Sequence, residues 1–146
     1  TIGVISSIKK FQNDNILVSN SDILTNLNYE AFYLQFLKEE ADMAIVTIPY
    51  QVNIPYAVME TENELVTSFK EKPIFTYYSN GGIYLIKKSV LALIPAETFF
   101  NATDLMERLI ADKKKVLSYP MVGYWLDIGS HEDYKKANLD IGQIKF

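Results

Sequence analysis

The six residues Met43-Ala44-Ile45-Val46-Thr47-Ile48 are apolar almost without a break, and they constrain the fold more than any other stretch of the chain. A strand with one face in water alternates apolar and polar side chains, whereas a strand apolar on both sides must be covered on both faces. The chain therefore has to place layers above and below a sheet. Its 146 residues suffice for one such unit with a core but are few for two. Pro49 follows directly and, having no amide hydrogen, is expected to close this strand.

The flanking segments supply the layers. Ile16-Leu17-Val18-Ser19-Asn20 reads as an earlier strand. Between the two runs, Tyr29, Phe32, Tyr33, Phe36 and Leu37 fall at i, i+3, i+4, i+7 and i+8, one face of a helix, with Asn28 placed to cap it. Strand, helix, strand is the order of a βαβ unit. Beyond it, Tyr56-Ala57-Val58-Met59 and Leu65-Val66-Thr67-Ser68-Phe69 flank the polar Thr61-Glu62-Asn63-Glu64, the pattern of an antiparallel hairpin, so the sheet is expected to be mixed. Tyr77 to Ile86 reads as a strand interrupted by Gly81 and Gly82, and Val116 to Tyr119 as another. Asn101 precedes a helix carrying Leu105, Met106, Leu109 and Ile110, and Ser130 with Asp133 opens a last helix towards Leu139. At the start, Val4, Ile5, Ile8 and Phe11 have helical spacing. A chain that opens on Thr1-Ile2-Gly3-Val4, with no methionine, reads as one cut inside a domain.

Several function classes are excluded. A net charge of -4 leaves no basic footprint for nucleic acid, and the Lys113-Lys114-Lys115 run suits the end of a helix instead. No apolar stretch approaches the roughly 18 residues of a membrane span. Without cysteine there is no disulfide or thiolate site, and any metal must be a hard ion held by oxygen; cytoplasmic residence fits that composition. His131, the only histidine, is expected at the surface. A serine-hydrolase elbow and a P-loop are both missing from the sequence.

What remains is a sparse acidic set. Asp22 and Asp127 each follow a short apolar run, and in open α/β sheets ligands gather outside the carboxyl ends of strands. Magnesium is commonly held by one or two carboxylates plus substrate phosphates, which these two could provide, although both also suit ordinary turns. Glu71-Lys72-Pro73 offers a point charge for a phosphate and an acceptor for hydroxyls, or else a solvated pair ending a strand. Asn80-Gly81-Gly82 is either a β-bulge or a place where bare backbone approaches a ligand.

In combination these segments resemble the carboxyl-terminal two thirds of the catalytic domain of the sugar-phosphate nucleotidylyltransferases, the nucleoside-diphosphate-sugar pyrophosphorylases. Ile16 to Leu24 resembles the family's strand and Asn-Gly-Asp turn, and Tyr56-Ala57-Val58 through Glu71-Lys72-Pro73 its Tyr-Gly-Val hairpin and Glu-Lys-Pro motif. Ser79-Asn80-Gly81-Gly82-Ile83-Tyr84 resembles its Asn-Ala-Gly-Ile-Tyr strand, and Trp125-Leu126-Asp127-Ile128-Gly129-Ser130 its Trp-x-Asp-x-Gly-Thr segment. Thr1-Ile2-Gly3 is similar to the end of a Leu-Gly-Thr-Ala-Gly segment near the nucleotide base.

The resemblance implies an α/β, Rossmann-like nucleotidyltransferase fold: a mixed, mostly parallel sheet flanked by helices, lacking its N-terminal part, over residues 1–146. It implies that Asp22 and Asp127 hold Mg2+ and act in catalysis with Lys72. Ala57, Glu71, Lys72, Asn80 and Gly81 would bind the sugar phosphate, and Gly3 would lie near the nucleotide. The partners implied are a nucleoside triphosphate and a sugar 1-phosphate, with neither nucleic acid nor membrane, and with room for a homo-oligomer. The reaction would be attack of the sugar phosphate on the α-phosphorus with loss of pyrophosphate. GTP or dTTP is the favoured donor and mannose 1-phosphate guanylyltransferase the nearest type.

Three positions depart from the family pattern: Ser21 for Gly, Ala57 for Gly and Gly81 for Ala. The family's Gly-rich loop with its Arg and following Lys has no counterpart, so this chain alone is expected to be inactive. A catalytically silent nucleotide-sugar sensor of the same fold is the alternative. A glycosyltransferase is disfavoured because Ser21-Asp22-Ile23-Leu24 supplies no Asp-x-Asp.

Overall fold

The computed structural model describes residues 2, 3, 5, 8, 10–96 and 98–145. Its elements run β1 (Asn15–Ser19), β2 (Ile23–Thr25), α1 (Tyr29–Lys38), β3 (Met43–Asn53), β4 (Val58–Glu62), β5 (Leu65–Lys70) and β6 (Ile74–Lys87). A 3-10 helix (Lys88–Leu93), α2 (Ala102–Ala111), β7 (Val116–Pro120), β8 (Trp125–Asp127) and α3 (His131–Asp140) follow.

The apolar run of β3 lies inside the main sheet, whose strand order is β1-β6-β3-β7. Side chains alternate across a strand, so Met43 and Ile45 join one core and Ala44 and Val46 the other. The first core packs against Leu105 and Leu109 of α2, with Val90 and Ile94 at its edge. The second packs against Phe32 and Phe36 of α1, with Ala41 and Met121. Cover on both faces is the physical reason the run carries almost no polar residue.

The expectation of a mostly parallel sheet is corrected. β3 pairs with β7 in parallel, but β6 pairs antiparallel with both β1 and β3. Since β1 and β3 both oppose β6, they are parallel to each other, as strand, helix, strand requires. The late strand β6 is inserted between them, and two of the three pairings become antiparallel.

Two further expectations change. Pro49 does not end its strand: β3 continues to Asn53, with Pro49 opposite Tyr78 of β6. β7 has already stopped at Pro120, opposite Thr47, so beyond that point β3 has a partner on one side only and a missing amide hydrogen costs no ladder bond there. Of the proposed first helix, Val4 lies outside the described residues. Among the described residues, Ile5 and Ile8 donate to Ile2 and Ile5 at i to i+3 spacing, and Phe11 lies outside any helix.

The helix boundaries follow the sequence signals. Asn28 caps α1 by accepting from the Ala31 amide at 2.9 Å, Asp104 accepts from Asn101 at 2.7 Å, and Ser130 accepts from Asp133 at 3.1 Å. The helices α1 and α2 both end with a residue in the left-handed region, Glu40 (φ 53°) and Lys113 (φ 56°). Behind each, paired bonds close the last turn: Ala41 to Phe36 and Glu40 to Leu37, then Lys114 to Leu109 and Lys113 to Ile110. The lysine run thus sits at a helix end, as expected, and Lys115 reaches across to Glu39 at 3.0 Å.

The β4–β5 hairpin forms as expected, but as a separate two-stranded ribbon whose side chains are almost all exposed. With the outer halves of β3 and β6 it makes an arm bearing Tyr50, Met59, Phe69 and Tyr77 towards solvent.

Candidate functional site

β2 and β8 form a second small ribbon, and it brings the two aspartates together across 105 positions of sequence. Ile23 is directly opposite Asp127, and the Ile128 amide donates to the Asp22 carbonyl at 2.7 Å. Asp22 stands in the turn that enters β2, and Asp127 ends β8. Both are exposed, and neither carboxylate has a hydrogen-bond or ion-pair partner among the described residues. Carboxylate oxygens without partners are donors of the kind a hard divalent ion takes. No group of three or more potential ligand side chains occurs among the described residues, so the set is a sparse one.

A cleft of about 620 Å³ opens beside Asp22. The Ser19-Asn20-Ser21-Asp22 turn, Ile2, Asn80, Tyr84 and the first residues of α2 line it. A smaller hollow of about 120 Å³ contains Asp127, Trp125 and the two glycines of β6. Asn20, Asn80 and Tyr84 border both, so the hollows are parts of one depression.

The glycine segment is a bulge. Ile45 faces Tyr84 and Thr47 faces Asn80, so residues 81–83 of β6 oppose Val46 alone. Asn80 stabilises it from both ends of its amide: Oδ1 accepts from the Gly82 N–H at 2.9 Å, and Nδ2 donates to the Tyr84 hydroxyl at 2.8 Å. Burial pushes the Tyr84 phenol above its ordinary range, against the smaller opposing effect of the Asn80 bond, so it stays protonated at neutral pH. Gly82 has φ 72°, and a Cβ on it would lie 2.8 Å from Asn20 Nδ2. A Cβ on Gly81 would lie 2.8 Å from the Val46 carbonyl, so the central strand passes too close for a side chain here.

The other sequence-derived candidates stand elsewhere. Ala57, Glu71 and Lys72 lie at the foot of the hairpin and line neither hollow. Up to about 20 Å of extended β6 separates Ile74 from Asn80. Lys72 is exposed and has φ 44°, a left-handed backbone unusual for its residue type. Gly3 is buried and does not line the cleft; its amide donates to the Phe100 carbonyl at 3.0 Å and a Cβ would lie 2.6 Å from the Thr98 carbonyl. Thr1 lies outside the described residues. His131 is exposed and stacks on Tyr134, as a surface residue.

Three residues join the site without having been singled out from sequence: Asn20, Tyr84 and Trp125. The first stands two positions before Asp22 and the last two before Asp127, which was the available signal. Tyr124 secures the entry to β8: its amide donates to Asn26 Oδ1 at 2.7 Å and its hydroxyl to Asp140 of α3 at 2.6 Å. That bond, and then Lys136 at 3.1 Å, holds the Asp140 carboxyl below the usual carboxylate range.

Comparison with known proteins places this α/β fold. The chain belongs to the Nucleotidyl transferase family, which it matches over residues 2–144. It is 27% identical to a glucose-1-phosphate adenylyltransferase of Halalkalibacterium halodurans, over 92% of this chain and 38% of that protein. It is 25% identical to the enzyme of the same name from Bacillus thuringiensis strain Al Hakam, over 92% of this chain and 39% of that one. The chain thus spans about two fifths of these relatives. Among solved structures, HddC from Yersinia pseudotuberculosis superposes with a TM-score of 0.69 at 24% identity, over 97% of this chain and 62% of HddC. A putative glucose-1-phosphate thymidylyltransferase from Bacillus anthracis gives 0.68 at 21% identity, over 99% of this chain and 61% of that one. Both share the fold.

Proposed function

We propose that this chain supplies the metal-holding and sugar-phosphate part of a sugar 1-phosphate nucleotidylyltransferase, which joins a hexose 1-phosphate to a nucleoside triphosphate and releases pyrophosphate. The observation that carries the reading is the ribbon that sets the backbones of Asp22 and Asp127 side by side, with Asp22 lining the larger hollow, Asp127 the smaller, and neither carboxylate partnered among the described residues. A magnesium ion held there would neutralise charge on the phosphates as a Lewis acid. The chain's own residues position and polarise: Asn80 and Gly81 border the ligand space, and Tyr84 keeps a neutral hydroxyl on its wall. In a transfer of this kind no side-chain nucleophile is required, because orientation and charge stabilisation lower the barrier.

Lys72 as the phosphate contact, Glu71 and Ala57 at the sugar, and Gly3 near the base rest on the order of the sequence motifs rather than on closeness to the aspartates. GTP or dTTP is the proposed donor, with a mannose-type guanylyl transfer as the reference reaction. The solved HddC carries GMP-PN, while the named activities of the Bacillus-type relatives make ATP the competing donor.

The test is pyrophosphate release by the protein produced from its natural gene, with glucose and mannose 1-phosphates against all four triphosphates. Asp22→Asn and Asp127→Asn should each abolish it. Full activity in both variants would reject the metal pair.

A further inference from the structure

We propose that the Gly81–Gly82 bulge is the joint that fixes the spacing of Asp22 and Asp127, with Trp125 as the positioning residue that anchors Asp127 to it. This rests on the reading of the two aspartates as a metal pair. Asp127 ends β8 and Asp22 immediately precedes β2, and the β2–β8 ribbon is a sheet of its own that shares no ladder with the main one. Two hydrogen bonds meet on consecutive carbonyls of β6: one continues the β1–β6 ladder at the start of the turn that leads to Asp22, and the other ties β8 to the bulge. The Asn20 amide donates to Gly82 O at 2.9 Å, and the Trp125 indole Nε1–H donates to Gly81 O at 2.9 Å.

Each donor stands two residues before one aspartate. Along β8, positions two apart share a face, so the side of the strand that carries the indole also carries the Asp127 side chain. A planar indole pinned through its only polar atom fixes that face relative to β6 more firmly than an apolar ring could. The bulge makes this attachment available. With residues 81–83 opposing Val46 alone, β6 is lifted out of regular pairing with β3 and presents its Gly81 carbonyl to the ribbon. Both glycines are needed for close approach, to Val46 on one side and to Asn20 on the other. Asn80 holds the turned peptide through the Gly82 N–H. The segment that resembles a sugar-binding strand therefore also sets the gap between two carboxylates that arrive from opposite ends of the chain.

The test uses Mn2+ as the probe, counted by the electron paramagnetic resonance of the free ion, on this chain and on Trp125→Phe, Asp127→Asn and the double variant. Residues that orient metal ligands typically change affinity about 10- to 100-fold, so Trp125→Phe should weaken Mn2+ by about tenfold or more. In the Asp127→Asn background the same change should cost nothing further, because the ligand it orients is gone. A merely structural tryptophan would lower the melting temperature and leave Mn2+ affinity within about twofold, and that result overturns the proposal while the metal reading stands. If the wild-type chain takes up no Mn2+, or the aspartate variants bind as well as it does, both fail.

A measurement without mutation covers the case in which Trp125→Phe does not fold. Trp125 is the only tryptophan, so the 15N spectrum holds one indole N–H resonance. That resonance should move as Mg2+ is titrated, with the same midpoint as metal uptake. If it stays fixed at saturation, the proposal falls.

Discussion

Gly82→Ala is expected to destabilise the fold by about 2 kcal/mol, and the sum can be worked from its surroundings. Its φ of 72° lies in the left-handed region, where a side chain costs about 1–2 kcal/mol. The added methyl would also lie 2.8 Å from Asn20 Nδ2 and 2.9 Å from Ile23 Cδ1. Both are ends of side chains that can turn aside, so this term sits near the low end of overpacking, about 1 kcal/mol. Against these, alanine restricts the unfolded chain and returns about 0.4–1 kcal/mol.

Urea unfolding followed by circular dichroism and by Trp125 fluorescence gives the difference, provided the dependence on denaturant is unchanged. Gly142→Ala is the internal control: nothing lies within 4 Å of its added carbon, so the change should be neutral or slightly stabilising. Gly81→Ala tests the other wall of the bulge, where the obstacle is the Val46 carbonyl at 2.8 Å, backbone that cannot swing away. A Gly82→Ala protein within about 0.5 kcal/mol of wild type would refute the account of the bulge, since neither the left-handed backbone nor the contact with Asn20 could then be real.

Leu105→Ala, at a fully buried position in the core shared by α2 and β3, should cost about 2–5 kcal/mol by the same measurement. Glu64→Gly should stabilise by about 0.5–1 kcal/mol, because Asn63 and Glu64 both have positive φ (48° and 67°) in the two-residue turn between β4 and β5, where Asn-Gly is preferred; thermal melting decides it. The Asp140 carboxyl is depressed in the folded state, so its contribution is present above the unfolded value of about 3.9 and is lost as pH falls through the lower folded one. The gap in melting temperature between wild type and Asp140→Asn should accordingly be widest near neutrality and close in acid. Amide exchange should be fastest in the β4–β5 hairpin and slowest in Met43, Ala44, Ile45 and Val46, which are buried.

The layered fold was legible because burial on two faces leaves a plain trace, an unbroken apolar strand between segments of helical period. The face of α1 was legible only in outline. Phe32 and Phe36 are buried, while Tyr29, Tyr33 and Leu37 of the same stripe remain more than a third exposed. Spacing marks which side of a helix turns inward, but how far around it the cover reaches depends on the neighbouring sheet. Strand direction was not legible: nothing local to Tyr77–Ile86 says that it enters between two earlier strands and runs against both. Pro49 misled for a related reason, since proline stops a strand only where its nitrogen faces a partner, and that depends on how far β7 extends. In the site, the order of motifs brought Asp22, Asn80 and Asp127 to one place. The residues that hold them there act through backbone carbonyls, which leave no residue type to read.

The division within the motif set follows from where the core ends. Asp22, Asn80 and Asp127 are exposed, but Ile23 and Trp125 beside the aspartates pack against the second core and Asn80 adjoins the buried half of β6, so the backbones that carry the three are tied to the packing that folds the chain. Ala57, Glu71 and Lys72 belong to the arm, where a two-stranded ribbon with exposed Met59, Leu65 and Phe69 has no second layer beneath it. An isolated hairpin is marginal in water. Its sequence nevertheless keeps a two-residue turn, a Ser68–Glu60 hydrogen bond and a Lys70–Glu60 ion pair at 3.2 Å, so the ribbon's shape is specified locally even though its position is not specified by a core. A left-handed Lys72 at the base of that ribbon is a costly conformation for a lysine, and it turns the chain from β5 into β6 where the Ile54 amide meets the Pro73 carbonyl at 3.1 Å. The metal side of the proposed chemistry is thus anchored to the folding core through neighbouring residues. The phosphate side depends on how this arm is held, and substitutions at Lys72 should act on substrate binding with little effect on the stability set by the two cores.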